Sequence, residues 1–391
     1  MGRLWRYLRN NLKETILAPF FKMLEASFEL IIPLVVASMV DVGIGGKDQR
    51  YLLRMGCLMV VLGIVGFISS ATAQYFAAKA ATAAGTAMRN DLFSHMGTFS
   101  YQEIDSIGTA TLITRMTSDI NQVQNGVNMF LRLFLRSPFV VLGAVFMAFL
   151  VDYKTAMVFA ATIPALFLVV FLILLISMPL YQRVQKQLDD VLQKTRENLL
   201  GIRVVRAFNR QESEIKAFDA SHRELYQRQI FVGKISALLN PVTYVIINLG
   251  TIGVLWIGGI QVNLGRLSQG EVIALINYMS QILVELIKLA NLMILLSKTA
   301  ASLKRVEKVF QTQGSILDGE ENFRTDGAVS VSFQDVSFAY AGAKEPAVEK
   351  VSFYAAAGDT IGIIGGTGSG KTTLVNLIPR FYEAQEGEIL I

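Results

Sequence analysis

The sequence predicts a mainly α-helical membrane protein of six spans, with helices that run on beyond the bilayer and an α/β unit beginning near the C-terminus. Three observations carry that expectation. Of the 391 residues, 52% are apolar and 17% are charged, where a soluble domain carries about 25% charged residues. The apolar residues collect in long runs that stop near residue 300, and Lys and Arg crowd into every second connecting segment.

A bilayer core of about 30 Å needs roughly 20 mostly apolar helical residues. Six stretches qualify, at approximately 15–40, 53–77, 127–150, 155–178, 237–262 and 271–297. Pro33, Pro138, Pro164, Pro179 and Pro241 fall in or beside them; neighbouring helices can satisfy the backbone groups that a membrane proline frees. Segments 1–13, 79–136 and 181–235 hold four, five and eleven Lys and Arg, against three, one and one in 41–54, 151–154 and 262–270. The positive-inside rule then places both termini in the cytoplasm. The same bias accounts for the net charge of +5 without a nucleic-acid partner.

The first run is too long for a signal-peptide core and is interrupted by Lys22, Glu25 and Glu29, so it is expected to be a retained span. Ahead of it, Trp5, Leu8 and Leu12 share one helical face among basic residues, which suits a short helix on the inner membrane surface. Cys57, the single cysteine, lies inside an apolar run and reads as a small buried or lipid-facing residue.

The segments on the outer side are short, VDYK and VNLGRLSQGE, whereas the inner ones run to some fifty residues. Residues 181–235 keep helical periodicity through Val184, Leu188, Val191 and Leu192. Continuing helices explain this, since 20 further residues reach ~30 Å past the bilayer. Lys22, Glu25 and Glu29 lie close together on one helical face, and Glu285 and Lys288 have the same three-residue spacing. Such charges either line a polar substrate cavity or pair with one another.

Composition changes at SILDGEENFRTDGA, a linker. Three β-like runs follow: VSVSFQDVSFAY at 329–340, VEKVSFYAAA at 348–357 and DTIGIIG at 359–365. Next come Gly365, Gly366, Thr367, Gly368, Ser369, Gly370, Lys371, Thr372 and Thr373, then the helical LVNLIPRF. This fits G-x-x-x-x-G-K-[ST], the P-loop. Its glycines let successive backbone N–H groups face phosphate oxygens, and the following helix presents its positive end to the same anion. Lys371 would reach β- and γ-phosphates, and the Thr372 hydroxyl would hold Mg²⁺. The chain closes on GEILI, which reads as a strand with no partner.

Six spans with long inner helices, a linker and a P-loop resemble the bacterial, multidrug-type ABC exporters over the whole chain. SYQEIDSIGTATLITRMTSDINQV at 100–123 and TRENLLGIRVVRAFNRQESEIKAF at 195–218 look like that family's two intracellular loops. The resemblance implies a six-helix ABC exporter transmembrane domain over 1–313 with cytoplasmic helical extensions. A linker at 314–328 and the N-terminal part of an α/β ATP-binding domain at 329–391 would follow. It implies coupling helices near Glu103–Gly108 and Arg206–Glu212, and gives Tyr340 the role of stacking on adenine; the position of Tyr340 also suits a buried strand-end tyrosine. The implied protein is a half-transporter in the plasma membrane, a homodimer or heterodimer driven by ATP and Mg²⁺ through alternating access. Its cargo would be a small molecule such as a drug, a lipid or a peptide.

The family's LSGGQ signature, acidic Walker B strand, glutamine loop and switch histidine have no counterpart here. The chain therefore reads as a fragment with no catalytic residue of its own. It is expected not to hydrolyse ATP unaided, and could alternatively pair with an intact half-transporter and regulate it.

Overall fold

The computed structural model describes residues 2–316 and 330–391. Most of the expected linker, 314–328, and the first residue of the run at 329–340 lie outside the described residues. In chain order, the elements are α1 (Gly2–Arg9), α2 (Leu12–Ser38), α3 (Gln49–Met96), α4 (Tyr101–Ile107), α5 (Thr109–Thr114) and α6 (Ile120–Leu133). There follow α7 (Arg136–Val151), α8 (Tyr153–Leu200), α9 (Ile202–Ala207), α10 (Gln211–Ala237), α11 (Leu239–Asn263) and α12 (Gln269–Gln311). The C-terminal part holds β1 (Val331–Phe338), β2 (Val348–Ala355), α13 (Lys371–Leu377) and β3 (Glu386–Leu390).

Six helical stretches among the described residues are long and apolar enough to cross a membrane: Leu12–Ile44, Gln49–Met96, Thr109–Val151, Tyr153–Leu200, Gln211–Asn263 and Gln269–Gln311. Each contains one expected span. The chain is thus a multi-pass membrane protein. The 48 residues of α8 extend ~70 Å at 1.5 Å per residue, far beyond a ~30 Å hydrocarbon core.

The prolines take two kinds of position. Pro138 and Pro241 are the third residues of α7 and α11, where a helix has no use for the missing N–H. Pro33, Pro164 and Pro179 lie within continuous helices. Wider π-helical turns at Met39–Ile44 and Arg115–Asp119 extend α2 and α5.

The chain forms two compact units. One comprises Lys13–Lys79 and Asn128–Leu296. Its core sets Phe159, Leu166, Leu275, Tyr278, Met279 and Ile282 among small residues such as Ala26, Ala144, Ala148, Ala156 and Ala274. Small residues let membrane helices approach closely. At Gly250 a Cβ would sit 2.9 Å from the Thr162 side chain, so only glycine permits the observed approach of α11 to α8. Asp152 alone separates α7 from α8 and caps α8 by accepting from the Thr155 N–H at 2.7 Å. Asp41 joins the end of α2 to the start of α12, accepting from Ser268 Oγ at 2.5 Å and the Gly270 N–H at 2.7 Å. Cys57 is exposed on α3, as a lipid-facing residue would be.

The other unit comprises Met1–Leu12, Ala80–Val127 and Ser297–Ile391. Tyr7 donates from its hydroxyl to Asp91 at 2.8 Å, and the Arg3 guanidinium lies 4.3 Å from the centre of the Phe310 ring, fixing α1. Leu12 is not part of that short helix. The chain breaks after Arg9, and Leu12 opens α2. Asp119 is held by Arg115 at 2.7 Å and by Arg305. The sheet is antiparallel, in the order β2-β1-β3. Phe333, Val336, Phe338, Val348, Leu374, Leu377 and Tyr382 form its core with α13.

Three local expectations are corrected. GEILI is paired: Ile389 lies opposite Phe333 and Leu390 opposite Ser332, so β1 supplies the partner. The run at 359–365 forms no strand, since nothing among the described residues completes a ladder with it, and Ile364 is 97% exposed. An apolar β-prone run is only a strand once neighbours take up its backbone groups. The second short loop helix is Ile202–Ala207 and not 206–212. Gly201 ends α8, and Asn209, with φ +51°, turns the chain into α10. Asn is among the few non-glycine residues that readily enter that region.

Candidate functional site

The P-loop is shaped by its glycines. Gly368 and Gly370 have φ of +85° and +80°, which side-chain-bearing residues rarely adopt. A Cβ on Gly370 would come within 2.2 Å of the Ala347 carbonyl oxygen, so the turn into α13 admits no other residue. Lys371 is the first residue of α13, and its ammonium curls back over the loop. It donates to the carbonyl oxygens of Gly365 at 3.0 Å and Gly366 at 2.6 Å, with Ser369 Oγ at 3.3 Å. Thr367 lies at the exposed crown of the loop, and Thr372 presents its side chain to solvent. Thr373 is buried, and its hydroxyl lies 2.9 Å from the Tyr340 hydroxyl.

Tyr340 follows β1 and meets Phe338 and Tyr382 edge to face at 5.1 and 5.3 Å. It is partly exposed. The tyrosine and the loop, read separately in the sequence, are thus joined through Thr373.

The segment after α13 carries a contact that sequence reasoning missed. Tyr101, the first residue of α4, stacks on Phe381 at 4.5 Å, and Tyr382 donates to Asp105 at 2.7 Å. Burial, then the bond to Asp105, pushes the Tyr382 hydroxyl up to about 12. The short helix α4 itself is made by its first turn: Ser100 and Glu103 form a capping box, and Gly108, at φ +83°, ends it. Burial pushes the Glu103 carboxyl up, but hydrogen bonds from Ser100 and Ser315 outweigh that and hold it below its ordinary 4.5. The expected helix at Glu103–Gly108 is therefore present as Tyr101–Ile107. Tyr101 in the first loop and the Phe381–Tyr382 pair after α13 were the available signal.

A second site lies within the apolar helices. Arg136, 6% exposed at the start of α7, bridges Glu29 of α2 and Glu285 of α12, each at 2.5 Å. Glu285 is 2% exposed and also accepts from Ser137 at 2.7 Å and Lys288 at 2.8 Å. Lys22 pairs with Glu25 at 2.5 Å and donates to Ser70 at 3.1 Å. The two i,i+3 pairs suggested by spacing both form. Arg136 had stood only as one inner-side positive charge; two glutamates in separate spans were the sign that a buried cation was needed.

Pro33 shapes the same region. It cannot donate to the Glu29 carbonyl four residues back, and Gln281 Nε2 points at that oxygen from 3.5 Å. Tyr278 donates to the next carbonyl, Leu30, at 2.7 Å. Glu29, Asn277, Ser280, Gln281 and Glu285 line a cavity of about 410 Å³.

Residues 15–286 match the profile of the ABC transporter transmembrane region, and residues 348–391 match that of the ABC transporter family. The chain belongs to the ABC transporter family, in the exporter-type arrangement that fuses membrane and nucleotide-binding parts. It is 32% identical to an uncharacterized ABC transporter ATP-binding protein of Bacillus subtilis, over 96% of this chain and 65% of that protein. A similarly described protein of Mycobacterium tuberculosis is 31% identical over 93% of this chain and 62% of its own length. The ATP-dependent lipid A-core flippase of Yersinia pestis is 26% identical over 100% of this chain and 67% of the relative. This chain thus spans 62–65% of the length of the first two of these relatives.

Proposed function

We propose that this chain works as the membrane subunit of an ATP-driven exporter, two subunits enclosing two nucleotides and passing cargo by alternating access. The observation that carries the reading is the link from α4 to the residues just after α13. Tyr101 on Phe381 and Tyr382 on Asp105 couple the P-loop helix mechanically to helices that continue toward the membrane. A ligand that alters the P-loop side then biases the membrane side, which is what a two-state transporter requires.

The site residues take the following parts. The loop from Gly365 to Gly370 fits a phosphate chain: its turns are open to solvent, and the Lys371 ammonium is held over it by the Gly365 and Gly366 carbonyl oxygens. Lys371 would exchange those carbonyls for phosphate oxygens, and Thr372 would ligate Mg²⁺ together with them. Among the described residues no group of three His, Cys, Asp or Glu offers a metal cage, which accords with Mg²⁺ arriving on phosphate. Tyr340 would offer its partly exposed ring to adenine. We place the membrane domain at 1–313, the linker at 314–328 and the ATP-binding part at 329–391, in the plasma membrane with both termini in the cytoplasm. The partner is a second half-transporter, identical or different. Cargo is a small molecule, lipid or peptide; the name of the Yersinia pestis relative keeps lipid in that set.

Photolabelling with a radioactive azido-ATP analogue tests the nucleotide part. Membranes containing the chain should be labelled in the presence of Mg²⁺, and Lys371→Ala should reduce labelling at least about tenfold, the scale of one charge-assisted phosphate contact. Undiminished labelling of the variant overturns the assignment.

A further inference from the structure

Between α8 and α10, close to where both helices leave the long apolar runs, lies a groove of about 270 Å³ lined by Leu180, Arg183, Gln227, Arg228, Phe231 and Val232. Its polarity is ordered the same way on both walls. On α8, Arg183 follows Leu180 by three residues, ~4.5 Å farther from the apolar run that ends near 178. On α10, which returns toward the membrane as α11, Gln227 and Arg228 lie about one turn farther from the apolar run than Phe231 and Val232. Each wall is thus apolar toward the bilayer and polar, with a guanidinium, away from it. Ile176 and Leu172, one and two turns back from Leu180 along the same side of α8, are exposed and continue the apolar track.

Neighbours do not consume these charges. Arg183 is exposed and makes no ion pair or hydrogen bond among the described residues, and neither does the Gln227 side chain. Arg228 commits Nε and Nη2 to Glu224, at 3.2 and 2.6 Å, and keeps Nη1. Both members of that pair are well exposed, at 42% and 50%; such a pair contributes little, so its guanidinium can be shared with a second anion at small cost. From 178 to 188 on α8 and from 226 to 237 on α10, the chain carries Arg183, Lys186, Arg228 and Lys234 and no Asp or Glu. The positive-inside bias accounts for cations scattered around the inner end of a helix. It does not account for two guanidiniums that share one groove with apolar side chains. The Tyr181 and Ser236 hydroxyls, 3.2 Å apart, tie the walls near the membrane end, and Lys194 donates to Ser221 at 2.6 Å beyond the other end.

We propose that this groove binds an anionic phospholipid of the inner leaflet, its phosphate between Arg183 and Arg228 and one acyl chain over Leu180, Phe231 and Val232 toward Ile176. The depth is right. Arg183 lies five residues past the apolar run, ~7.5 Å at 1.5 Å per residue, and the headgroup layer is ~5–8 Å deep on each side of the hydrocarbon. Arginine stems lie along apolar surface and carry the charged end to the phosphate level, and the planar guanidinium matches phosphate oxygens. A zwitterionic lipid would bring its own cation beside two guanidiniums, which repel it. Free phosphate would leave the apolar half of the groove uncovered. A lipid seated there adds a third tie between α8 and α10. That its leaflet is the inner one rests on the topology given above; that the groove takes an anionic lipid does not.

Photolabelling of the full chain in phosphatidylcholine nanodiscs tests the proposal. The probes are trace phosphatidylglycerol and trace phosphatidylcholine, each with the same diazirine high on one acyl chain, and labelled peptides are mapped by mass spectrometry. A nanodisc presents the same lipid on both sides, so binding is read independently of orientation, nucleotide and transport. The phosphatidylglycerol probe should label 176–183 and 227–232 at least about fivefold more strongly than the phosphatidylcholine probe. Arg183→Gln and Arg228→Gln should each reduce that labelling about fivefold, the scale of one basic residue at an anionic surface. Both side chains are exposed, so neither variant threatens the fold. Lys234→Gln, which changes a cation outside the groove, should leave the labelling unchanged. Equal labelling by the two probes, an equal loss with Lys234→Gln, or displacement of the probe by excess inorganic phosphate overturns the proposal. Labelling of these segments by neither probe also overturns it, since another protein surface then covers the groove.

Discussion

The unit built from Lys13–Lys79 and Asn128–Leu296 and the small sheet around α13 hold themselves together by opposite means. In the first, each helix closes its own backbone hydrogen bonds, so the apolar core and a few polar ties decide how helices meet. In the second, the ladders join distant segments: β1 at Val331–Phe338 pairs with β3 at Glu386–Leu390, and residues 359–365 find no ladder at all. Where backbone bonding is local, one buried side chain can dominate the tertiary structure. Where it is non-local, a segment of suitable composition has no structure until its neighbours meet it.

The largest effect should come from striking the centre of the first arrangement. Arg136→Ala leaves Glu29 and Glu285 without their shared cation, and removing one member of a buried pair costs about 3–5 kcal/mol. Thermal unfolding in detergent should register this, and replacing Arg136, Glu29 and Glu285 together by Met, Gln and Leu should recover much of it. In the sheet, Leu377→Ala empties a core position that is 1% exposed, at about 2–5 kcal/mol. Limited proteolysis should then cut the 330–391 region first and spare the helices; simultaneous loss of both would contradict the independence of the two arrangements.

A smaller change is expected at the α4 contact. Tyr382→Phe strips the donor from Asp105, and a hydrogen bond to a charged group contributes roughly 1.5–3 kcal/mol. Hydrogen exchange should quicken in Tyr101–Ile107 and leave the α8 and α12 interiors unchanged. Ser100→Ala removes one half of the capping box, worth about 1 kcal/mol. Because Glu103 is held below its ordinary 4.5, its contribution is present above that value and fades as pH falls through the lowered one. Protection of α4 against exchange should therefore fall on acidification, and Glu103→Gln should blunt that fall.

The sequence by itself determined the six spans, the long helical extensions and the P-loop, because each is written in nearby residues; it left the Lys22 and Lys288 pairs with Glu25 and Glu285 as one of two alternatives, and the structure decided for pairing. Apolar length, three- and four-residue periodicity and G-x-x-x-x-G-K-T need no knowledge of what lies across the fold. Tertiary structure alone decided that Arg136 joins Glu29 to Glu285 across 107 and 149 residues of chain. It also decided that Tyr340 reaches Thr373, that Tyr382 reaches Asp105, and that GEILI pairs while DTIGIIG does not. Local patterns fix what a segment can become, since helix bonds and turn preferences act over one turn of chain. Which charge meets which, and which strand finds an edge, depends on segments brought together only by folding.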